Sequence, residues 1–324
     1  MEKPISRPKY KVPKDKFLCN NKFTDVSSWI NLDQEWAGTR EKYILKPNEK
    51  SSRYLIKFPE YGENEIYTEL FNSYLAMSFG LNVASYFPCL YKNKKGIIVK
   101  RFLDEQKNNE ELWEMKELIC EYSGDIGLGK KLGRDKVVLK EHDIDNIVMI
   151  LNEEFGSKIL HSFFKMIGFD CLIGHSDRHW ENYGIILTGD KDHNLSYRFA
   201  PLYDTATSFL VGWSEDKIKQ ILKSGELDDP LWYRPTSKKN TCRITINGNP
   251  RTNHMDLLEH IINNTGYAKY LTSLFEPINK YNEKTVRYIL RNFCKGLSQD
   301  RKNVIIKILS MRHALISEII NKER

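Results

Sequence analysis

The sequence predicts an α+β chain in two parts, a small strand-rich N-terminal half and a larger helical C-terminal half. Three observations carry that expectation. Short β-branched and aromatic runs separated by polar turns fill the stretch up to Phe102. Apolar residues then recur at helical spacing over most of the remaining chain. Two short strands, at 183–187 and 197–201, interrupt that helical half beside a motif rich in Asp, Asn and His.

Taken in order, residues 1–25 read as an N-terminal arm in which Lys and Arg alternate with Pro. Tyr43-Ile44-Leu45-Lys46 and Tyr54-Leu55-Ile56-Lys57-Phe58 read as a hairpin. Ile66, Leu70, Phe71, Tyr74, Leu75 and Phe79 mark one face of a helix over 65–79, which Gly80 ends. Strands follow at 83–90 and 97–102. The polar segment 104–110 is the expected boundary, giving an N-terminal lobe over 26–103 and a helical lobe over 104–324. Helices are expected at 111–122, 143–154 and 157–169, and in the tail at 254–263, 269–280, 283–293 and 303–318.

Composition bounds the class. At 324 residues and 40% hydrophobic content the chain has enough apolar side chains for a sizeable core. Charged residues at 29% are ordinary for a globular protein. The net charge of +7 favours acidic surfaces, ATP or nucleic acid without choosing among them. Cys19, Cys89, Cys120, Cys171, Cys242 and Cys294 are scattered with no C-x-x-C pair, so reduced structural thiols are expected. Residues 1–16 lack the apolar core of a secretory signal, and no run reaches the ~18 apolar residues of a membrane span. The expected location is the cytoplasm, or a host cell reached by export without a cleavable signal peptide.

The chemistry concentrates in Gly174-His175-Ser176-Asp177-Arg178-His179-Trp180-Glu181-Asn182 and in Pro201-Leu202-Tyr203-Asp204. Phosphoryl transfer is mostly positioning and charge neutralisation, so aiming a hydroxyl and gripping Mg²⁺ call for separate residues. Asp177 suits the first task as the catalytic group. Asn182, five positions on, and Asp204 suit the second, because hard oxygen ligands match Mg²⁺. His175-x-Asp177-x-His179 could instead hold a transition metal, but no third strong ligand follows at close spacing. His179 fits better as a brace of the loop that also aids the developing charge. Arg178 fits a pairing with an acidic group or a phosphate.

Gly174-x-x-Asp177-Arg178-His179-x-x-Asn182 resembles the catalytic loop of two related groups, the HipA-like serine/threonine kinases and the phosphatidylinositol 3-/4-kinases. Pro201-x-Tyr203-Asp204, with Ser208 after it, resembles the HipA-like group; lipid kinases usually carry Phe-Gly after the metal Asp, and here Thr205-Ala206 follows. HipA-like loops often have Asn where this chain has His175. The resemblance covers about residues 38–210 and implies a two-lobed protein-kinase-like fold with ATP and Mg²⁺ as cofactors.

It also implies a nucleotide side. Lys57, in a Lys-Phe-Pro strand of the family type, would clamp the phosphates. Glu65 and Glu69 are both candidates to hold its ammonium, and the family's interval to Gly80-Leu81-Asn82-Val83 selects Glu69. Gly38-Thr39-Arg40-Glu41-Lys42 resembles the family's phosphate flap, with Gly38, Thr39 and Lys42 as candidate nucleotide contacts. Lys100 and Phe102 belong to the expected hinge against the adenine. Gly124 to Lys130 superficially fits a P-loop, but Lys131 stands where Ser or Thr must bind Mg²⁺. The basic run Lys130, Lys131, Arg134, Lys136 and Lys140 reads as a solvated face able to recruit an acidic partner.

The expected function is therefore that of an ATP- and Mg²⁺-dependent serine/threonine-protein kinase that also phosphorylates itself, with Ser208, Ser51 and Ser52 as candidate marks. The expected partner is a Ser/Thr-bearing protein substrate, with an acidic or host-cell protein as a further candidate. A phosphoinositide acceptor and a non-catalytic protein- or nucleic-acid-binding module are the alternatives. Nucleic-acid binding is the weaker of these, since no helix-turn-helix or aromatic-interleaved basic patch is recognisable.

Overall fold

The computed structural model describes residues 11–32, 41–103, 109–124, 142–189, 195–234 and 241–322. The architecture is mixed α+β, with a strand-rich N-terminal lobe and a larger helical lobe, as in kinase-like folds. Two compact units make it up. The first comprises Met1–Phe102, Asp204–Gln220 and Asn282–Ile306, and the second Leu103–Tyr203, Ile221–Tyr281 and Lys307–Arg324.

The first unit is built on a six-stranded sheet in the order β1-β5-β6-β4-β3-β2. Its strands are β1 (Thr24–Asp25), β2 (Ile30–Asn31), β3 (Lys42–Lys46), β4 (Tyr54–Lys57), β5 (Tyr86–Tyr91) and β6 (Lys94–Lys100). All neighbours run antiparallel except β1 beside β5. Period-two alternation decides the faces of β4: Tyr54 and Ile56 are buried, while Leu55 and Lys57 share the opposite face. Tyr54 and Ile56 join Leu45, Phe87, Cys89 and Ile98 in the core. Leu18 and Val26 of the N-terminal segment complete it, and Asp15 accepts the Tyr54 hydroxyl at 2.8 Å. Helix α1 (Glu63–Ser78) buries most of its surface; Tyr74 stacks on Phe293 of the later helix Glu283–Phe293 at 4.3 Å between ring centres.

The second unit carries the sheet β7 (Glu110–Glu114), β8 (Gly184–Gly189), β9 (Leu195–Phe199), antiparallel throughout. Its helices include α2 (Met115–Ser123), α3 (Ile144–Phe155) and α4 (Ser157–Ile173). Asp143 caps α3, accepting the Asp145 N–H at 3.1 Å. Helix α4 is apolar on nearly every side and lies in the core. It crosses the helix Leu271–Asn279 so closely at Gly168 that a Cβ there would collide with the Leu274 carbonyl.

Differences from the sequence expectation include the following three elements. Residues 110–114 form a strand rather than the start of a helix, because pairing with β8 satisfies their backbone and leaves α2 to begin at Met115. The tail helix expected from 269 opens as a 3₁₀ turn, Thr265–Tyr270, before Leu271–Asn279. Helix Glu215–Ser224 had no counterpart in the sequence reading; of its residues only Ile218 and Ile221 are fully buried, too few for a visible apolar stripe.

All six cysteines are free thiols. Cys89 and Cys294 are buried in the first unit and Cys171 and Cys242 in the second. Burial pushes Cys89 and Cys242 up to about 12 and raises Cys171 and Cys294 as well. No helix among the described residues is long and apolar enough to cross a membrane.

Candidate active site

In the first unit the end of β4 faces Lys42 of β3 on one side and Ile97 of β6 on the other. Directly opposed residues of antiparallel strands share a face, so Lys42 and Lys57 leave the sheet on the same side. Lys57 Nζ donates to Asp204 Oδ2 at 2.8 Å. Lys57, Glu69, Tyr86 and Asp204, with Ile66 and Ile97, line a small pocket there.

Asp204 sits in the left-handed region at φ 56°, which Asp tolerates better than most residues. Its N–H donates to the Tyr86 hydroxyl at 3.2 Å. The next residue is gripped from both sides by α1. Glu69 Oε1 accepts the Thr205 N–H at 2.9 Å and its hydroxyl at 3.1 Å, while Asn72 Nδ2 donates to the Thr205 carbonyl at 2.7 Å. Glu69 and Asn72 are three apart and so lie on one helix face. Glu69, the glutamate expected at the ammonium, thus bonds to Thr205, and the Lys57 ammonium pairs with Asp204. Burial pushes the Glu69 carboxyl up to about 7, the Asp204 charge adds to that rise, and the Thr205 bonds and Lys57 oppose it. Glu65, the other candidate, accepts the N–H groups of Glu60 and Tyr61 at 2.8 and 3.0 Å ahead of α1.

Ser208 is buried, and its hydroxyl accepts from Asn72 Nδ2 at 2.9 Å, so it is not presented for modification. Ser52 is exposed, and Ser51 donates to Asn48 at 2.8 Å. Phe209 and Leu210 follow at φ 51° and 58°, two consecutive strained residues in the loop after Asp204.

In the second unit α4 ends at Gly174, whose φ of 67° suits glycine and whose Cα faces the Arg312 guanidinium: a Cβ would stand 3.2 Å from its carbon. Arg312 Nε donates to the Cys171 carbonyl at 2.7 Å, a cation on the last turn of α4, and burial lowers its pKa to about 10. The loop that follows is organised by Arg178, almost wholly buried. It meets Asp170 of α4 through two bonds, at 2.7 and 2.9 Å, and also reaches the carbonyls of Asn182 at 2.7 Å and Tyr203 at 3.0 Å. One guanidinium therefore ties the loop after Gly174 to α4 and to the residue before Asp204 in the chain. Burial raises the Asp170 pKa, and Arg178 opposes that rise.

Asn182 Nδ2 donates to the Asp177 carbonyl at 2.8 Å, closing the loop and leaving Oδ1 as the side chain's acceptor. Asp177 is about one-third exposed. Its Oδ1 accepts from Arg243 Nε at 3.2 Å, and its Oδ2 lies 3.9 Å from His179 Nε2. His179 Nδ1 accepts the Glu181 N–H at 3.2 Å, which puts the imidazole proton on Nε2, toward Asp177. His175 is fully buried, and its carbonyl meets His254 Nε2 at 2.9 Å. No group of three or more His, Cys, Asp or Glu side chains able to hold a metal occurs among the described residues.

Asn182 and Asp204 each carry a side-chain oxygen that can act as a ligand atom. That donor chemistry fits Mg²⁺, which takes one or two protein oxygens and fills the rest of its shell with water and phosphate. Of the remaining candidates, Lys100 is exposed at the end of β6 and Phe102 is half-buried just beyond it. Gly38, Thr39 and Arg40 lie outside the described residues, as does the basic run Lys130 to Lys140. Sequence reasoning missed Asn72, Tyr86, Asp170, Arg243 and Arg312. Asp170 alone had a visible signal, an acid inside the apolar run of α4.

The fold is kinase-like, and the family match makes the chain an ATP- and Mg²⁺-dependent phosphotransferase. The chain belongs to the HipA-like family: the profile of the HipA-like C-terminal domain matches residues 34–229. Among solved structures it is similar to the proinflammatory kinase CtkA of Helicobacter pylori, with a TM-score of 0.72 and 19% identity over 93% of this chain and 98% of that one. HipA of the Shewanella oneidensis MR-1 toxin–antitoxin system, solved with HipB and operator DNA, overlays at a TM-score of 0.45 and 16% identity. That overlay covers 89% of this chain and 65% of that one, too distant to establish a likeness. No curated protein sequence matches the chain.

Proposed function

We propose that the chain transfers the γ-phosphoryl group of ATP to serine or threonine hydroxyls of proteins, its own included. The observation that carries this reading is the Lys57–Asp204 pair at 2.8 Å, a strand lysine on a loop aspartate that α1 holds by its next residue. In this reading Lys57, with Lys42 opposite, neutralises phosphate oxygens, and Asp204 and Asn182 are the oxygen ligands of Mg²⁺. When bound, the ion would supply charge neutralisation at the phosphates. Asp177 accepts the hydroxyl proton as the acceptor oxygen bonds to the γ-phosphorus and the bond to the β-phosphate oxygen breaks, releasing ADP. His179 supports Asp177 through its Nε2 proton. Lys100 and Phe102 are proposed at the adenine, and Gly38 and Thr39 at the phosphates. Ser52, exposed in the turn between β3 and β4, is the better candidate for self-modification than Ser208.

The test is labelled ATP with Mg²⁺, comparing the intact chain with Asp204→Ala and offering a generic basic protein and phosphoinositide vesicles in parallel. Label on protein Ser or Thr, lost in the variant and located by mass spectrometry, supports the reading. Label on lipid alone, or none in either chain, refutes it.

A further inference from the structure

We propose that Arg243 selects the acceptor: it holds Asp177 until a hydroxyl flanked by a carboxylate displaces it. This deepens the kinase reading above and rests on it. Arg243 lies on a loop whose backbone is pinned on both sides of it. Cys242 N–H donates to the Thr252 carbonyl at 3.0 Å and Thr245 N–H to the His142 carbonyl at 3.0 Å, while the Arg243 carbonyl meets His142 Nδ1 at 3.0 Å. Cys242 and Ile244 on either side are buried. The loop is therefore fixed, and the 56% exposed arginine side chain is the part free to swing.

In the structure its Nε occupies Asp177 Oδ1 at 3.2 Å, and His179 stands 3.9 Å from the other oxygen. The carboxylate that must receive the acceptor's proton is thus already engaged by a cation. A hydroxyl that docks on Asp177 must move the guanidinium aside. The pair is partly exposed, so releasing the arginine to water costs little, and another anion in the carboxylate's place offsets that cost. An Asp or Glu beside the acceptor residue supplies that anion, and the exchange trades one ion pair for another. A neutral neighbour leaves the guanidinium unpaired, and a Lys or Arg neighbour repels it. Because the guanidinium touches the oxygen that the hydroxyl must reach, the carboxylate belongs within about two residues of it, roughly 7 Å of extended chain. Arg243 acts on the choice of acceptor and not on the bond-making step.

The experiment uses the full chain and three serine peptides that differ only in flanking Glu, Ala or Lys. Kinetics are measured on the wild type, Arg243→Ala and Arg243→Glu. For the wild type kcat/KM should favour Glu over Ala flanks by about three- to fivefold, chiefly through KM. Arg243→Ala should bring that ratio to within about twofold, and Arg243→Glu should shift preference to Lys flanks. A wild-type ratio near one, a ratio unchanged in Arg243→Ala, or an equal loss of kcat on all three peptides would overturn the proposal; the last would place the guanidinium on the phosphoryl group. In parallel, fluorescence anisotropy follows binding of the same peptides with Ala in place of the acceptor Ser. If the wild type phosphorylates nothing, the kinase reading fails, and the anisotropy still decides. Tighter binding of the Glu-flanked peptide that disappears in Arg243→Ala upholds the anion preference, and equal binding ends it.

Discussion

Glu69 and Thr205 are joined twice, through the backbone N–H at 2.9 Å and the hydroxyl at 3.1 Å of the threonine. A residue of α1 thereby fixes the backbone immediately after Asp204. Glu69→Ala removes the oxygen that accepts both bonds and leaves a buried N–H unpaired, at about 1–3 kcal/mol. The expected result is a clear drop in denaturant midpoint and a loss of transfer of at least about thirtyfold. Glu69→Gln keeps an acceptor oxygen and should retain most of both. Equal damage by Ala and Gln would show that the charge of Glu69, and not its grip on Thr205, is what matters.

Two buried groups oppose each other in pH dependence. His142 is neutral, its Nε2 on the Tyr183 hydroxyl at 2.8 Å and its Nδ1 on the Arg243 carbonyl, and burial lowers its pKa from 6.5 to about 4. Between those values the unfolded chain binds the extra proton, so this group's stability is lost as pH falls from about 6.5 to about 4. Glu69 is raised from 4.5 to about 7, so the native state holds the extra proton and stability falls as pH rises through that range. The wild type should vary little between about pH 4.5 and 6.5. Glu69→Gln should unmask a rise in stability with pH there, and His142→Gln a decline. Urea titrations at several pH values check both, and parallel curves for all three proteins would contradict the assignment.

Asp204 and Asp177 should fail differently. Asp204→Ala removes a proposed metal ligand and should abolish both transfer and the Mg²⁺ dependence of nucleotide binding. Asp177→Ala should lose transfer by more than about a hundredfold with nucleotide affinity within about twofold. Calorimetric titration with ATP, with and without Mg²⁺, beside single-turnover transfer separates them. A matched loss of affinity and turnover in both would end the division of roles.

Arg178 is a structural hub. Arg178→Met strands the buried Asp170 carboxylate, and breaking such a pair costs about 3–5 kcal/mol. Combining it with Asp170→Leu removes the stranded charge and should recover a large part of that loss. Chemical denaturation of the two single variants and the double variant measures the coupling. Simple additivity would mean that the pair does not act as a unit.

The sequence revealed most where one residue type has one physical use. The alternation in β4, the apolar face of α1 and the Asp177–Asn182 spacing each follow from local chemistry, and the corresponding elements were visible before any coordinates. The strand Glu110–Glu114 was not, because its partner β8 is remote in sequence and its own composition suits a helix. The contacts that shape the site escaped for the same reason. Asn72 meets Thr205, and Arg243 meets Asp177, across separations that leave no periodic trace. Glu69 was found as a residue but assigned a different partner, since spacing locates a side chain on a helix without saying which of two nearby groups it grips.

The placement of the thiols gives each half of the molecule its own internal clock. Cys89 and Cys294 are sealed within one unit and Cys171 and Cys242 within the other, all four in the sluggish protonated form. An alkylating reagent reaches them only during transient opening. Mapping which cysteine is labelled first, with and without nucleotide, would time the breathing of the two halves separately and without an engineered probe.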